Sequence, residues 1–236
     1  MANEIKFAPS QSMPLIALSS FPRSGNTWTR YMMQIASQIY TTSVYWETER
    51  TLLSSLALKG SFIDFRTGRG ILVKSHLYDA NHVRDFEGAI LLIRNPYESS
   101  ISEFFRCQTY LKVQSQELTR SLIQNKSVEW LVSVKSSFQK WHDLNLSWIK
   151  NSKKLLIVYY EELALNPEKE LIRMLSFLGQ PVNMERIRCA TQTYPLRNRT
   201  HLDAVPFYPP IVKNYVTSLN NTLIDRQARP LPSYHE

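Results

Sequence analysis

Glycine is scarce in this chain, with six in 236 residues. Each one therefore marks a place where the backbone has a reason to be bare. Cysteine is scarcer still: only Cys107 and Cys189. They stand in no C-x-x-C pair and no Cys/His cluster, which argues against a zinc site, and a disulfide scaffold does not arise at this length. Two free thiols in a reducing compartment are the expectation. No apolar run approaches the about 20 residues of a membrane helix, and the opening MANEIKFAPSQSM holds no hydrophobic signal core. With Met1 as the natural start, a cytoplasmic protein is expected. Had a membrane anchor been trimmed away, the Golgi lumen is the alternative, and only then do the N-x-S/T sequons at Asn125, Asn145, Asn198 and Asn220 matter. Acidic residues are also short, 20 Asp and Glu against 28 Lys and Arg, for a net charge of +8. That balance suits an anionic partner, whether nucleic acid, acidic lipid or a phosphorylated small molecule, or else a merely basic surface.

What is present alternates. No repeat or low-complexity segment interrupts the chain, which is read as an N-terminal tail (residues 1–13) and a single domain (14–236). LIALSSF (15–21) is an apolar strand. Residues 26–40 follow as a helix, with Trp28, Tyr31, Met32, Ile35 and Ile39 on one face. GILVKSH (70–76) is a short strand with a polar end. GAILLIRNP (88–96) has five continuous apolar residues and then breaks. A helix from Pro96 to about Tyr110, a long amphipathic helix or two over 128–150, and a strand in KKLLIVYYEEL (153–163) come next. Asn166, Pro167 and Gly179 then punctuate a further helix. Apolar strands separated by helices predict an α/β protein with a parallel sheet covered on both faces.

Ligands of such sheets sit at the carboxyl ends of the strands. There the sequence places SFPRSGNTW (20–28), KSH (74–76), RNP (94–96) and YYEE (159–162), four polar and mostly basic ends. In the first, Gly25 permits close backbone approach, Ser24 and Thr27 bring hydroxyls, and Arg23 brings charge. The stretch reads as a phosphate-type cradle or as an ordinary strand–helix turn. It is not the triphosphatase loop, since G-x-x-x-x-G-K-[ST] is absent. Arg94 leaves a buried strand and calls for an anionic partner, either a ligand or a carboxylate of the protein itself. Lys74 and His76 alternate onto one side of their strand. His76 is either a general base or a structural histidine.

In this order, FPRSGNTW, KSH, LIRNPYESSISEFFR and YYEEL resemble the motifs of the PAPS-dependent sulfotransferases, which use 3′-phosphoadenosine 5′-phosphosulfate. The resemblance runs from about residue 14 to 180. Within the family, SGNTWTRYMM, AILLIRNPY, LLIVYYEEL, PFYPP and the final LPSY are most similar to the sulfotransferase domain of WSC-domain-containing proteins, over nearly the whole chain. It implies a P-loop-type three-layer α/β/α fold and sulfuryl transfer from PAPS to a small-molecule or glycan acceptor. By position it implies that His76 is the base and that Arg23 and Lys74 meet the sulfuryl group. Ser24, Gly25, Asn26, Thr27 and Trp28 line the 5′ end, with Trp28 against the adenine. Arg94 and Ser102 bind the 3′-phosphate, and Tyr160 lies beside the adenine.

The sequence departs from the family pattern in three places. Arg23 stands where the loop usually has Lys. The C-terminal R-K-G is missing, with Arg197 and Arg199 of PLRNRTH as its candidate substitutes. Leu77 follows KSH where related domains often have Glu. Tyr45, Trp46, Phe62 and Phe65 are candidate acceptor-pocket aromatics, and Arg66 and Arg69 candidate contacts to an acidic acceptor. The alternatives are a P-loop small-molecule kinase and a basic nucleic-acid-binding protein. Neither a metal site nor a membrane segment nor a nucleic-acid motif is expected.

Overall fold

The computed structural model describes residues 4–47, 56–110, 115–196, 208–226 and 230–232. Five parallel strands form one sheet: β1 (Ile16–Ser20), β2 (Thr42–Ser43), β3 (Val73–Ser75), β4 (Gly88–Ile93) and β5 (Leu155–Tyr159), in the order β2-β3-β1-β4-β5. The helices are α1 (Asn26–Ser37), α2 (Ala80–Arg84), α3 (Pro96–Tyr110), α4 (Gln116–Gln124), α5 (Val128–Asn151), α6 (Tyr160–Leu165), α7 (Pro167–Phe177), α8 (Met184–Thr193) and α9 (Val212–Asp225).

Alternation along each strand sorts the core into two layers. Ile16, Leu18, Ile90, Leu92 and Val158 pack with Met32, Met33, Leu171, Met174 and Ile187, beneath α1, α7 and α8. Ala17, Ala89, Leu91, Ile93 and Tyr159 face the other way, against Trp141, Leu144 and Trp148 of α5 and Leu219 and Leu223 of α9. Each fully buried aliphatic side chain contributes about 1.5–3 kcal/mol, so the near-continuous apolar strands are what hold the sheet between helices. A third cluster joins Tyr97, Ile101 and Phe104 of α3 to Trp130, Val134 and Phe138 of α5. Tyr208 of the PFYPP segment plugs it, with its hydroxyl on the Tyr97 carbonyl. Burial pushes that phenol's pKa well up.

Several local expectations hold and a few shift. The 128–150 stretch is one continuous helix, and α3 begins at Pro96. Gly179 takes φ +65 just beyond α7, as a helix stop requires. The strand read through 163 ends at Tyr159, because Tyr160–Leu165 turns into a helix with Glu161 and Glu162 in its favourable first turn. Residues 6–13 run along the domain: Lys6 pairs with Ile39, and the Ala8 N–H meets the Arg69 carbonyl at 3.0 Å. Cys107 and Cys189 are both free thiols. Of the described sequons, Asn125 is exposed while Asn145 is fully buried inside α5. Among the described residues no helix is long and apolar enough to cross a membrane.

Candidate active site

Parallel register decides which strand ends meet. Ser19 pairs with Ser75 and Ile93 with Tyr159. One residue further on, Ser20 therefore lies beside His76 and Arg94 beside Tyr160.

The loop after β1 is held in an unusual backbone shape. Arg23 takes φ +66, in the left-handed region that non-glycine residues seldom occupy, and Gly25 takes φ +91 as the cap of α1. Left-handed residues on either side of Ser24 curl the chain toward an anion-binding nest. Gly25 has no side chain with which to cap α1, so the first-turn N–H groups are not claimed by one. Asn26 turns inward, its Nδ2 donating to the Leu18 carbonyl at 2.9 Å and to Ser20 Oγ at 3.2 Å, which ties the loop to its strand. Thr27 is exposed. Ser24 Oγ is buried and has no hydrogen-bond partner among the described residues.

Arg23, Arg94, Ser102 and Tyr160 assemble around this loop. Arg23 Nε donates to Ser102 Oγ at 3.0 Å. Arg94 Nη1 donates to the Arg23 carbonyl at 2.7 Å, and its guanidinium lies 4.5 Å over the Tyr160 ring. Its Nη2 donates to Glu98 Oε2 at 2.7 Å, while Nε is buried with no partner among the described residues. The carboxylate that Arg94 calls for is thus one helical turn away, at i+4. A second carboxylate, Glu161, accepts the Asn95 N–H at 2.8 Å; burial raises its pKa. Trp28 meets Tyr160 edge-on at 6.1 Å and donates from Nε1 to the Tyr194 carbonyl at 2.7 Å. The close neighbour of Gly25 is the Tyr160 ring: a Cβ at position 25 would lie 2.6 Å from it.

On the other side of the loop, His76 Nδ1 lies 2.7 Å from the Ser20 carbonyl oxygen. The His76 backbone N–H donates to the Tyr45 hydroxyl at 3.1 Å. The Tyr45 ring sits 6.0 Å from the imidazole and 5.4 Å beneath the Lys74 ammonium, so Lys74 and His76 do share a side. The turn after β3 is pinned twice more, by Leu77 N–H to Ser75 Oγ at 3.1 Å and by Trp148 Nε1 to the Leu77 carbonyl at 3.0 Å. Ser75 Oγ also lies 3.0 Å from His82 Nε2, and burial lowers the His82 pKa.

Similarities to known proteins agree with this fold. The family model for the sulfotransferase domain matches residues 14–199. The chain belongs to the sulfotransferase family. The WSCD family member CG9164 of Drosophila melanogaster is 34% identical to this chain over 188 residues, 78% of the chain and 56% of the relative. A WSCD family member of Aedes aegypti is 34% identical over 185 residues, 77% of the chain and 55% of the relative. The chain thus spans little more than half the length of these curated relatives, and the similarity reaches 78% of the chain rather than nearly all of it. Mouse sulfotransferase SULT7A1, solved with PAP, superposes with a TM-score of 0.54 at 18% identity, covering 91% of this chain and 84% of its own. Retinol dehydratase, solved with androsterone and the inactive cofactor PAP, gives 0.52 at 16% identity, covering 96% and 85%. These two likenesses show the sulfotransferase α/β fold.

The predicted residues that the fold brings together are Arg23, Ser24, Gly25, Asn26, Trp28, Lys74, His76, Arg94, Ser102 and Tyr160. Arg197 and Arg199 lie outside the described residues. Some of the acceptor-side expectations place differently. Phe65 is a core residue stacked on Phe86, and Trp46 packs against the α5 layer. Arg69 is engaged with the Ala8 carbonyl at 3.1 Å and the Phe7 ring, and Arg66 lies over Phe65, 3.6 Å from Asp64. Tyr45 was visible only as one aromatic among several; the hydroxyl that supports His76 has no signal in spacing. Glu98, by contrast, stands four residues after Arg94 and was open to an i,i+4 reading.

Proposed function

We propose that this chain transfers the sulfuryl group of PAPS to a hydroxyl or amine of a small-molecule or glycan acceptor, with His76 as general base. The observation that carries the reading is the 2.7 Å contact between His76 Nδ1 and the Ser20 carbonyl. A carbonyl oxygen only accepts, so Nδ1 carries the hydrogen, and in the neutral ring Nε2 holds the lone pair. Nε2 is then the atom that takes the acceptor's proton.

The loop fits an anionic donor. Buried Ser24 Oγ and Arg94 Nε have no protein partner among the described residues, and an anion rich in acceptor oxygens is what such groups require. Arg94 and Ser102 are assigned to the 3′-phosphate of PAPS, Arg23 and the amides of residues 24–28 to its 5′ end, and Tyr160 and Trp28 to the adenine side. PAPS supplies the activated sulfuryl group. Arg23 and Lys74 offset negative charge as it shifts toward the leaving phosphate and the sulfuryl oxygens. Sheet order divides the work: β4 and β5 furnish the nucleotide side, β2 and β3 the base and its support.

The test is transfer of labelled sulfate from PAPS to a panel of phenols, alcohols, amines and glycans, with the product identified by mass. His76→Ala should abolish turnover and leave the affinity for adenosine 3′,5′-bisphosphate in place. Arg23→Ala or Lys74→Ala should each cost roughly 10²–10³ in rate. Undiminished transfer by the His76 variant would remove it as the base.

A further inference from the structure

Among the described residues the sheet ends at β5. The Ala89 N–H donates to the Lys154 carbonyl at 2.8 Å, and Ala89 pairs with Leu155 in parallel register. Along a parallel strand, residues that bond one neighbour alternate with residues that face the opposite side. Leu156 and Val158 therefore turn their backbone groups toward β4, and Leu155 and Ile157 turn theirs outward. A groove of about 640 Å³ runs along this outer edge, between the end of α5, the first turns of α7, and Arg226 just past α9.

The groove is polar and biased in charge. The Ile157 carbonyl accepts from Arg173 Nη2 at 3.3 Å, and Arg173 is neutralised by buried Glu170 at 2.5 Å. That leaves Lys153, Lys169 and Arg226 at the rim, against Glu162. Ser152 Oγ, also in the lining, is buried without a partner among the described residues. Lysines on edge strands commonly bar unwanted pairing. Here Lys154 is drawn aside, its Nζ on the Phe177 carbonyl at 3.1 Å and 4.7 Å over the Phe177 ring.

We propose that this edge docks an extended acidic polypeptide segment, which adds to the sheet beside β5. The outward N–H groups of Leu155 and Ile157 and the Leu155 carbonyl would pair with its backbone, the Ile157 carbonyl staying with Arg173, and Lys153, Lys169 and Arg226 would meet its carboxylates. Two copies of this chain joined edge to edge would bring the same cations face to face, so charge favours a partner of opposite sign. The chain's own last described residues lead elsewhere, since the Leu231 N–H is bound to Asn220 Oδ1 at 3.0 Å, back along α9.

The experiment uses the full chain and two fluorescein-labelled peptides, one alternating Glu with Val and the other Lys with Val. Binding is followed by fluorescence polarisation and by amide hydrogen exchange. The acidic peptide is expected to bind, to weaken with added salt, and to slow exchange at Leu155 and Ile157, while the basic peptide does not. Ile157→Pro removes one outward N–H at a position where an edge strand tolerates proline, and should weaken binding about tenfold. Reversing Lys153, Lys169 and Arg226 to Glu together should invert the preference between peptides, and this surface variant stands in if Ile157→Pro fails to fold by circular dichroism. No binding of either peptide at about 1 mM, or equal binding of both, overturns the proposal. So does concentration-dependent protection of the same amides without peptide, which would assign the edge to a second copy of the chain.

Discussion

A methyl group at position 25 would sit 2.6 Å from the Tyr160 ring on a backbone held at φ +91. Gly25 lets an anion approach the loop; it is also where the aromatic that opens α6, Tyr160, reaches the loop. Gly25→Ala is expected to cost about 1–3 kcal/mol of stability through strain and displaced packing, measured by urea denaturation, and to lower affinity for adenosine 3′,5′-bisphosphate in titration calorimetry. Tyr45→Phe should act differently. It keeps the ring beneath Lys74 but removes the hydroxyl that accepts the His76 N–H, so kcat should fall while nucleotide affinity holds. His82 sets a pH dependence. Burial holds its pKa down, against the pull of Asp79 and Asp85 and with the push of Arg66. The unfolded chain therefore takes up this proton first as pH falls below about 6.5. Stability is full above that pH and is lost as acidification proceeds through the folded-state value. Glu161 has the opposite slope, since burial raises its pKa and protonation relieves a buried charge. Replacing His82 with Gln should flatten the acid-side decline in chemical denaturation, which separates the two.

At the scale of elements, α5 contributes most that the sequence left open. Its periodicity is legible, and so is its burial against a sheet. Which carbonyls its tryptophans would find is not. Trp141 Nε1 donates to the Arg94 carbonyl at 3.0 Å and Trp148 Nε1 to the Leu77 carbonyl at 3.0 Å. One helix thereby steadies both the strand end that carries Arg94 and the turn that follows His76. Trp141→Phe should cost about 1–3 kcal/mol, because the buried Arg94 carbonyl loses its donor, and Trp148→Phe less, because Leu77 is exposed and water can replace the indole. The two should part in function: Trp141→Phe is expected to weaken nucleotide binding, and Trp148→Phe to lower kcat. Full sulfotransfer by both variants would reduce α5 to a packing element. The β5–α6 junction shows why boundaries are harder to read than elements. YYEEL carries aromatics that suit a strand and carboxylates that suit a helix start, and only contact with Gly25 and Arg94 settles Tyr160 at the junction.

At the scale of the whole molecule, the sheet order β2-β3-β1-β4-β5 puts the loop after β1 between the strand ends that carry His76 and Arg94. A ligand held by elements so far apart in the chain would tie the fold together. Adenosine 3′,5′-bisphosphate at a hundredfold excess over its Kd should add about 2.7 kcal/mol of stability, and the thermal shift it produces should vanish in a variant lacking Arg94 and Ser102. The apolar strands, their intervening helices, and the polar residues at the strand ends are written locally: periods of two and 3.6 and a break in hydropathy need no partner to be seen. The sequence by itself thus determined a parallel α/β sheet and the residues available at its carboxyl edge. Tertiary structure alone decided that Arg94 would be shared between Glu98 and the loop, that His76 would rest on the Ser20 carbonyl, and that Tyr45 would support it. Those pairings depend on strand register and crossover, and they join residues up to 71 positions apart, as Arg94 and Arg23 are. No local pattern of side chains encodes a distance of that kind.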